Sequence, residues 1–258
     1  MKVVLSILVL FVLVFSVNGQ IKTRMIEYQH GDVVLEGYLA YDALLKSQRP
    51  GVLLVHEWWG LNDYARERAN QLAELGYITL ALDMYGKGVQ AKTAEEAQEL
   101  AEQFYENRQL MRDRAAAGLE LLKEQRRLDK GRVAAMGYCF GGTVALELAR
   151  SGAELACVVS FHGGLNTPNP EDAKNIKGSV LVFHGADDPF VPLEEVIAFQ
   201  EEMRQAKLDW HMVTYGNAVH AFSNSSLGFD TSGGAAYNYN ADKRSWSWLT
   251  SFLQEVLK

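Results

Sequence analysis

The chain contains few cysteines, which limits what disulfide bonds could contribute. Cys139 and Cys157 are the two cysteines among its 258 residues, so one bond between them is the most that could form. Cys157 falls in the apolar segment Leu155–Ser160, where a buried thiol behaves as a small hydrophobic side chain. Cys139 lies in a glycine-rich turn and has a different role there. We therefore expect both thiols to be free.

Several other classes of protein also lack support in the sequence. The formal net charge is −7 and no basic patch is present, which argues against a nucleic acid as partner. No G-x-G-x-x-G follows the first strand, and no cluster of histidines and carboxylates has metal-ligand spacing. We therefore expect neither a nucleotide cofactor nor a metal. Repeats and Pro/Ser-rich linkers are absent too, which favours a single domain over residues 20–258.

One long apolar run is present, and it lies at the N-terminus. Met1-Lys2 is followed by the almost entirely apolar segment Val3–Val17, and Val17-Asn18-Gly19 fits a cleavage site. The run is about 15 residues, whereas a membrane span needs roughly 20. We expect residues 1–19 to be a signal peptide and the exported protein to begin at Gln20, with no stable membrane insertion afterwards. An uncleaved anchor is the alternative.

Beyond residue 20, apolar strands alternate with segments of helical periodicity, which predicts an α/β fold with a mostly parallel sheet covered on both faces. The predicted strands are Met25–His30, Val33–Tyr41, Gly51–His56, Tyr77–Leu82, Arg132–Met136, Ala156–Ser160, Ser179–Phe183 and Trp210–Tyr215. The predicted helices are 63–75, 93–126 with a break near Asn107, 143–150, 193–207 and 242–257. In such sheets, functional sites lie beyond the C-terminal ends of the strands.

A short motif, GYCFGG at residues 137–142, lies between the apolar run Val133–Met136 and a helix-like segment. It is the G-x-nucleophile-x-G turn of an α/β-hydrolase, with cysteine in place of the usual serine. This sharp turn strains the backbone of the nucleophile and requires small neighbours on both sides. It also places Cys139 at a helix N-terminus, where the helix dipole favours an anion. A thiol gains most from this environment because the thiolate is its reactive form.

A cysteine nucleophile needs a base, and the base needs an acceptor that orients it. Hydrolases of this fold place them in the order nucleophile, acid, histidine. The segment VLVFHGADDPFVP at 180–192 offers Asp188 as the acid, with Asp187 as an alternative that could instead cap a turn or helix. The segment GNAVHAF at 216–222 places His220 in a loop of small residues after the last strand.

The other histidines fit less central roles. His162 and His184 lie at strand ends, where structural hydrogen bonding is the favoured interpretation. His30 and His211 lie within or beside strands and are interpreted as peripheral.

A further motif, HEWWG at residues 56–60, comes at the end of the third predicted strand. It is not the helix of a zinc protease, because Gly60 takes the place of the second histidine. Together with GYCFGG, HGADDPFVP and GNAVHAF, in this order and at these intervals, HEWWG resembles the dienelactone hydrolase family. The resemblance extends from roughly Val33 to the C-terminus.

This resemblance implies a hydrolase that cleaves a small ester or lactone through an acyl-thioester. Cys139 would be the nucleophile, His220 the base and Asp188 its orienting acid. Glu57 would lie near the thiol and take its proton when substrate binds. Such a role suits a buried carboxyl among the aromatic side chains of HEWWG, since burial raises its pKa. A salt-bridged loop carboxylate is the alternative for Glu57.

The family resemblance also implies how substrate is held. The backbone N–H groups of Phe140 and Trp58 would form the oxyanion hole, and Trp59 and Tyr85 would contact substrate, although packing is an equally favoured role for Tyr85. Where the family has arginines that bind a substrate carboxylate, this chain has Lys87 and Asn224. Lysine lacks the planar fork of arginine, so the anion clamp is weakened. Asn224 could serve a neutral ester or bond to its own loop.

Three alternatives remain open at the level of sequence. The same triad could serve a broader carboxylesterase or thioesterase. The fold could also act as a non-catalytic binding protein for a small ligand, although the intact set of Cys139, Asp188, His220 and Glu57 counts against this. The segment Leu227–Asn240, rich in Gly, Ser, Asn and Tyr, could cover the pocket or link to the last helix. The sequence carries no signal for an oligomeric state.

Overall fold

Eight strands form one sheet in the part of the chain that a computed structural model describes, residues 19–258. They are β1 (Ile21–His30), β2 (Val33–Asp42), β3 (Arg49–Val55), β4 (Ile78–Leu82), β5 (Leu128–Tyr138), β6 (Cys157–Phe161), β7 (Ser179–Gly185) and β8 (Trp210–Tyr215). Their order across the sheet is β1-β2-β4-β3-β5-β6-β7-β8. β2 pairs antiparallel with β1 and β4, and the other pairs are parallel. Residues 1–18 of the predicted signal peptide lie outside the described residues.

Within residues 19–258, six α-helices cover both faces of this sheet, as the sequence predicts for an α/β-hydrolase fold. They are α1 (Asp63–Glu74), α2 (Ala94–Glu106), α3 (Arg108–Lys123), α4 (Phe140–Arg150), α5 (Leu193–Gln205) and α6 (Tyr239–Val256). Buried side chains of α2, α3, α4 and α5 share one core, and those of α1 and α6 share a second core on the opposite face. Within residues 19–258, no helix combines the length and apolar character that crossing a membrane requires.

Local sequence signals explain several of the helix boundaries. The side chain of Asn62 accepts a hydrogen bond from the N–H of Ala65 and caps α1. Gly76 follows the end of this helix with a positive φ of 92°, which glycine adopts readily. Asn107 separates α2 from α3, and its side chain accepts the N–H of Leu110. The predicted break near Asn107 is confirmed.

The structure extends some elements beyond their predicted limits. β1 begins at Ile21 instead of Met25, because residues 21–24 pair with the end of β2. These residues show no apolar alternation that would mark them as a strand. α6 begins at Tyr239 instead of Asp242, because the side chain of Asn238 caps it. β5 likewise runs well beyond the predicted segment Arg132–Met136.

The parallel strands end at one edge of the sheet, and this arrangement positions the candidate site. Glu57 follows β3, Cys139 follows β5 and Asp188 follows β7. Glycines allow α4 to start directly against β3: a Cβ on Gly141 would lie 2.3 Å from the carbonyl oxygen of Val55. No larger residue fits there without displacing the backbone, so the first turn of α4 is fixed against the end of the central strand.

Candidate active site

Cys139 occupies the sharp turn between β5 and α4. Its φ of 54° and ψ of −120° form a conformation that residues with a Cβ rarely adopt. The Cys139 N–H donates to the carbonyl oxygen of Phe161 at 2.9 Å, and Nδ1 of His162 lies 3.2 Å from the same nitrogen. The side chain is half-buried and lines a cavity. The strained turn therefore presents a free thiol at the start of a helix.

His220 and Asp188 form a hydrogen-bonded pair beside this thiol. Nδ1 of His220 lies 2.8 Å from Oδ2 of Asp188, whose other oxygen accepts the N–H of Phe190 at 2.9 Å. Asp188 is buried, whereas Asp187 is exposed and makes no contact with the histidine ring. The carboxylate is held from both sides, so it can fix the orientation of His220.

The charge state of His220 depends on its two neighbours. Burial alone lowers the pKa of His220, but ionised Cys139 and the hydrogen bond to Asp188 outweigh burial and raise it to about 10. The imidazolium is therefore favoured when Cys139 is a thiolate. A thiolate–imidazolium pair is the reactive form of a cysteine nucleophile.

Glu57 is buried at the end of β3 and lines the same cavity as Cys139 and His220. Its Oε2 accepts a 2.7 Å hydrogen bond from the Asn224 side-chain amide, while Oε1 has no hydrogen-bond partner among the described residues. Burial raises the pKa of Glu57 to about 7, although the bond from Asn224 acts in the opposite direction. Glu57 can therefore gain or lose a proton near neutral pH.

The two backbone N–H groups predicted for the oxyanion hole belong to the start of α4 and to the turn after β3. Phe140 is the first residue of α4, so its N–H has no acceptor within the helix. Trp58 lies in the turn after β3, and its carbonyl oxygen accepts a 3.0 Å hydrogen bond from the Tyr85 hydroxyl. This bond fixes the loop that carries the Trp58 N–H.

The cavity beside Cys139 has a volume of about 670 Å³. Four aromatic side chains line it, those of Trp58, Trp59, Tyr105 and Phe190. Leu227, Gly233 and Ala235 line it too, and the N–H of His220 bonds to the carbonyl oxygen of Gly234 at 3.1 Å. The segment Leu227–Asn240 therefore forms part of the cavity wall. Among residues 19–258, no group of three or more His, Cys, Asp or Glu side chains is arranged to hold a metal ion.

Comparison with known proteins identifies the family. The model of the dienelactone hydrolase family matches residues 35–257. The chain belongs to the dienelactone hydrolase family.

Individual members of the family match most of the chain. A solved structure, described as a dienelactone hydrolase-like promiscuous phosphotriesterase from metagenomic libraries, is 41% identical with a TM-score of 0.89, and the match covers 93% of this chain and 100% of that chain. A protein of Aquifex aeolicus with the provisional name carboxymethylenebutenolidase is 31% identical over 78% of this chain and 87% of its own length. Protein usf of Aquifex pyrophilus is 29% identical over 91% of this chain and 99% of its own. The protein is a hydrolase of the dienelactone hydrolase type.

The structure corrects two of the substrate-binding predictions made from the family pattern. Lys87 does not line the cavity: its ammonium group pairs with Glu27 and lies 3.7 Å from Glu36, because the β1–β2 hairpin places both carboxylates beside it. Asn224 does not line the cavity either, since its side-chain amide is bonded to Glu57. Neither position therefore places a cation in the cavity for the substrate carboxylate of the family pattern.

The two aromatic residues predicted to contact substrate, Trp59 and Tyr85, have different positions in the structure. Trp59 lines the cavity, but Tyr85 does not. Tyr85 is buried, and its ring packs against His56 and Phe140. Of the two roles predicted for Tyr85, the structure favours packing and support of the Trp58 loop.

His162 makes structural hydrogen bonds, as predicted for a histidine at a strand end, and they place its ring beside Cys139. Its Nδ1 faces the Cys139 N–H, its Nε2 lies 2.8 Å from Oγ of Ser223, and its ring packs edge-on against His220. Burial lowers the pKa of His162 well below its usual value, so the ring is neutral. Its place at the end of β6 was the one available signal. Tyr105 and Phe190 carried no signal, because they reach the cavity from a helix and a loop.

The raised pKa of Glu57 predicts a pH-dependent change in stability on Glu57→Gln. Below about pH 4.5 the carboxyl is protonated in both the folded and the unfolded state. Between this pH and about 7 the unfolded state loses the proton first, so the free energy of unfolding of the wild type falls relative to Glu57→Gln. A pKa shift of this size lowers the free energy of unfolding of the wild type, relative to that of Glu57→Gln, by about 3 kcal/mol between pH 4.5 and pH values above 7. Urea unfolding across this pH range measures the difference.

Glu99→Gln, on an exposed face of α2, is the control and should show no such trend. The same stability difference for Glu57→Gln at pH 4 and pH 8 would contradict the raised pKa.

Proposed function

We propose that Cys139, His220 and Asp188 form a catalytic triad that hydrolyses a small ester or lactone through an acyl-thioester intermediate. One observation carries the proposal: His220, oriented by Asp188 at 2.8 Å, lies beside the Cys139 thiol where both side chains open into one cavity. Membership of the dienelactone hydrolase family supports the reaction class.

In the first half of the reaction, the thiol of Cys139 loses its proton to the Glu57 carboxylate and the thiolate attacks the substrate carbonyl. The N–H groups of Phe140 and Trp58 stabilise the oxyanion that forms. Collapse of this intermediate breaks the bond to the leaving oxygen and forms the thioester. The proton that left the thiol is returned to the leaving alkoxide, so the alcohol departs neutral.

In the second half, His220 removes a proton from water and the resulting hydroxide attacks the thioester. The C–S bond breaks, the acid is released, and the proton on His220 returns to the sulfur. Asp188 keeps Nδ1 of His220 protonated in both steps, which leaves Nε2 free to accept a proton. A resting thiol, with Glu57 ready to take its proton, is also less exposed to oxidation than a permanent thiolate.

The triad proposal predicts that turnover depends on one of the two cysteines. Cys139→Ala should lower kcat for 4-nitrophenyl acetate by at least about 1,000-fold, because the nucleophile is lost. Cys157→Ala is the matched control, since Cys157 is buried in β6, and should keep near-normal kcat. The release of 4-nitrophenol measures both. Equal turnover by the wild type and Cys139→Ala would contradict the mechanism, and tight ligand binding without any turnover would favour a binding protein.

A second candidate activity is hydrolysis of neutral phosphotriesters. The observation that favours it is the 41% identity, over 93% of this chain, to the promiscuous phosphotriesterase. Diethyl 4-nitrophenyl phosphate releases the same chromophore, so the assay above tests it with the same two variants. A broader carboxylesterase or thioesterase activity is tested by extending the acyl chain of the substrate.

We also propose that the protein is exported and that residues 1–19 are removed. The support is the sequence itself: a lysine, an apolar run and small residues before Gln20. Expression of the full chain in a bacterial host, followed by N-terminal sequencing of the protein outside the cytoplasm, should give a sequence that starts at Gln20. Full-length protein retained in the cytoplasm would contradict export.

A further inference from the structure

The charged side chains that line the cavity beside Cys139 are mostly acidic. Three carboxylates line it, those of Glu57, Glu102 and Glu195, and no lysine or arginine of residues 19–258 does so. The positive charge that His220 can carry is matched by the thiolate of Cys139. The fixed charge that a bound substrate meets is therefore negative.

Glu195 is the most firmly held of these carboxylates. Its Oε1 accepts the N–H of Leu165, and lies 3.1 Å from the N–H of Asn166. Its Oε2 accepts the side-chain amide of Asn166 at 2.8 Å. These bonds keep the carboxylate at the cavity wall, where it cannot turn away from an approaching anion. Glu102, on α2, is exposed at the mouth of the cavity and has no such anchor.

Arg108 contacts two residues of the cavity lining, Tyr105 and Asn166, but its guanidinium is engaged by them. Its guanidinium lies over the ring of Tyr105, 5.1 Å from the ring centre, and donates a 2.8 Å hydrogen bond to Oδ1 of Asn166. Arg68 lies behind the site, where it pairs with Asp242 at 2.5 Å. Neither guanidinium is part of the cavity lining.

The rest of the cavity wall favours apolar or cationic groups. Trp58, Trp59, Tyr105 and Phe190 present aromatic rings to it. The faces of such rings are electron-rich and attract cations, while their area favours apolar substrates. No lysine or arginine of residues 19–258 lines the cavity to compensate a desolvated carboxylate, and Gln98 and Asn166 offer it neutral amide donors alone.

We propose that the active site selects uncharged or cationic esters and rejects substrates that carry a carboxylate near the reacting ester. This specificity rests on the proposed ester hydrolysis at Cys139. It argues against a dienelactone-type substrate, whose carboxylate would face Glu102 and Glu195 with no lysine or arginine of residues 19–258 in the cavity lining to receive it.

Three phenyl acetates that all release a para-alkyl phenol test the proposal. Each phenol carries a two-carbon chain in the para position, ending in a carboxylate, a carboxamide or a trimethylammonium group. We expect kcat/KM for the amide and the ammonium ester to exceed that for the carboxylate by at least about tenfold at low salt. The ratio should shrink as ionic strength rises, because salt screens exposed charges such as that of Glu102.

Variants at the cavity mouth assign this preference to particular charges. Glu102→Lys should raise kcat/KM for the carboxylate ester and lower it for the ammonium ester, each measured relative to the amide ester in the same variant. Glu99→Gln, exposed on the same helix outside the cavity lining, should leave all three values unchanged. Arg108→Gln should not reduce turnover of the carboxylate ester selectively.

The outcomes separate the specificity from the reaction itself. Turnover that needs Cys139 but is equal or faster for the carboxylate ester would overturn the specificity and leave the proposed function intact. Loss of turnover of the carboxylate ester in Arg108→Gln would also overturn the specificity and leave the proposed function intact. Turnover of all three esters that persists in Cys139→Ala would instead overturn the proposed function.

Discussion

The close contact between the start of α4 and the end of β3 determines the geometry of the whole site. Gly141 lies against the carbonyl of Val55 with no room for a side chain, and two residues earlier Cys139 adopts a strained backbone conformation. Because β3 and β5 are parallel neighbours, Glu57 and Cys139 emerge at the same edge of the sheet. Strand pairing thus brings the Cys139 thiol and the buried Glu57 carboxyl together, although they are far apart in the sequence.

The electrostatic character of the site follows from burial. The side-chain hydrogen bond to Glu57 comes from Asn224, a neutral donor. Because a neutral donor stabilises a carboxylate less than an ion pair does, burial dominates and raises the pKa of Glu57. His220 is also buried, but Asp188 and ionised Cys139 favour its charged form. Two proton acceptors with different environments therefore border one thiol. This separation suits a nucleophile that forms its thiolate when substrate is present.

Much of the fold and the central residues could be predicted because strand ends and turn glycines leave local signals. The motif around Cys139, the acid loop and the break at Asn107 are examples. Contacts between distant segments left no such signal: Lys87 pairs with Glu27 across the hairpin, and Asn224 reaches Glu57 from a loop 167 residues away. A family pattern predicts which residue occupies a position. It does not predict which side chain that residue contacts, because the contact depends on how distant loops pack.

Rapid acid quenching followed by mass spectrometry tests whether Cys139 forms the proposed covalent acyl intermediate. The protein is mixed with 4-nitrophenyl acetate, with His220→Ala used to slow deacylation. We expect a mass increase of one acetyl group, located on the peptide that contains Cys139 and absent from Cys139→Ala. Turnover by the wild type with an acetyl group on another residue, or with no adduct in His220→Ala at any quench time, would contradict it.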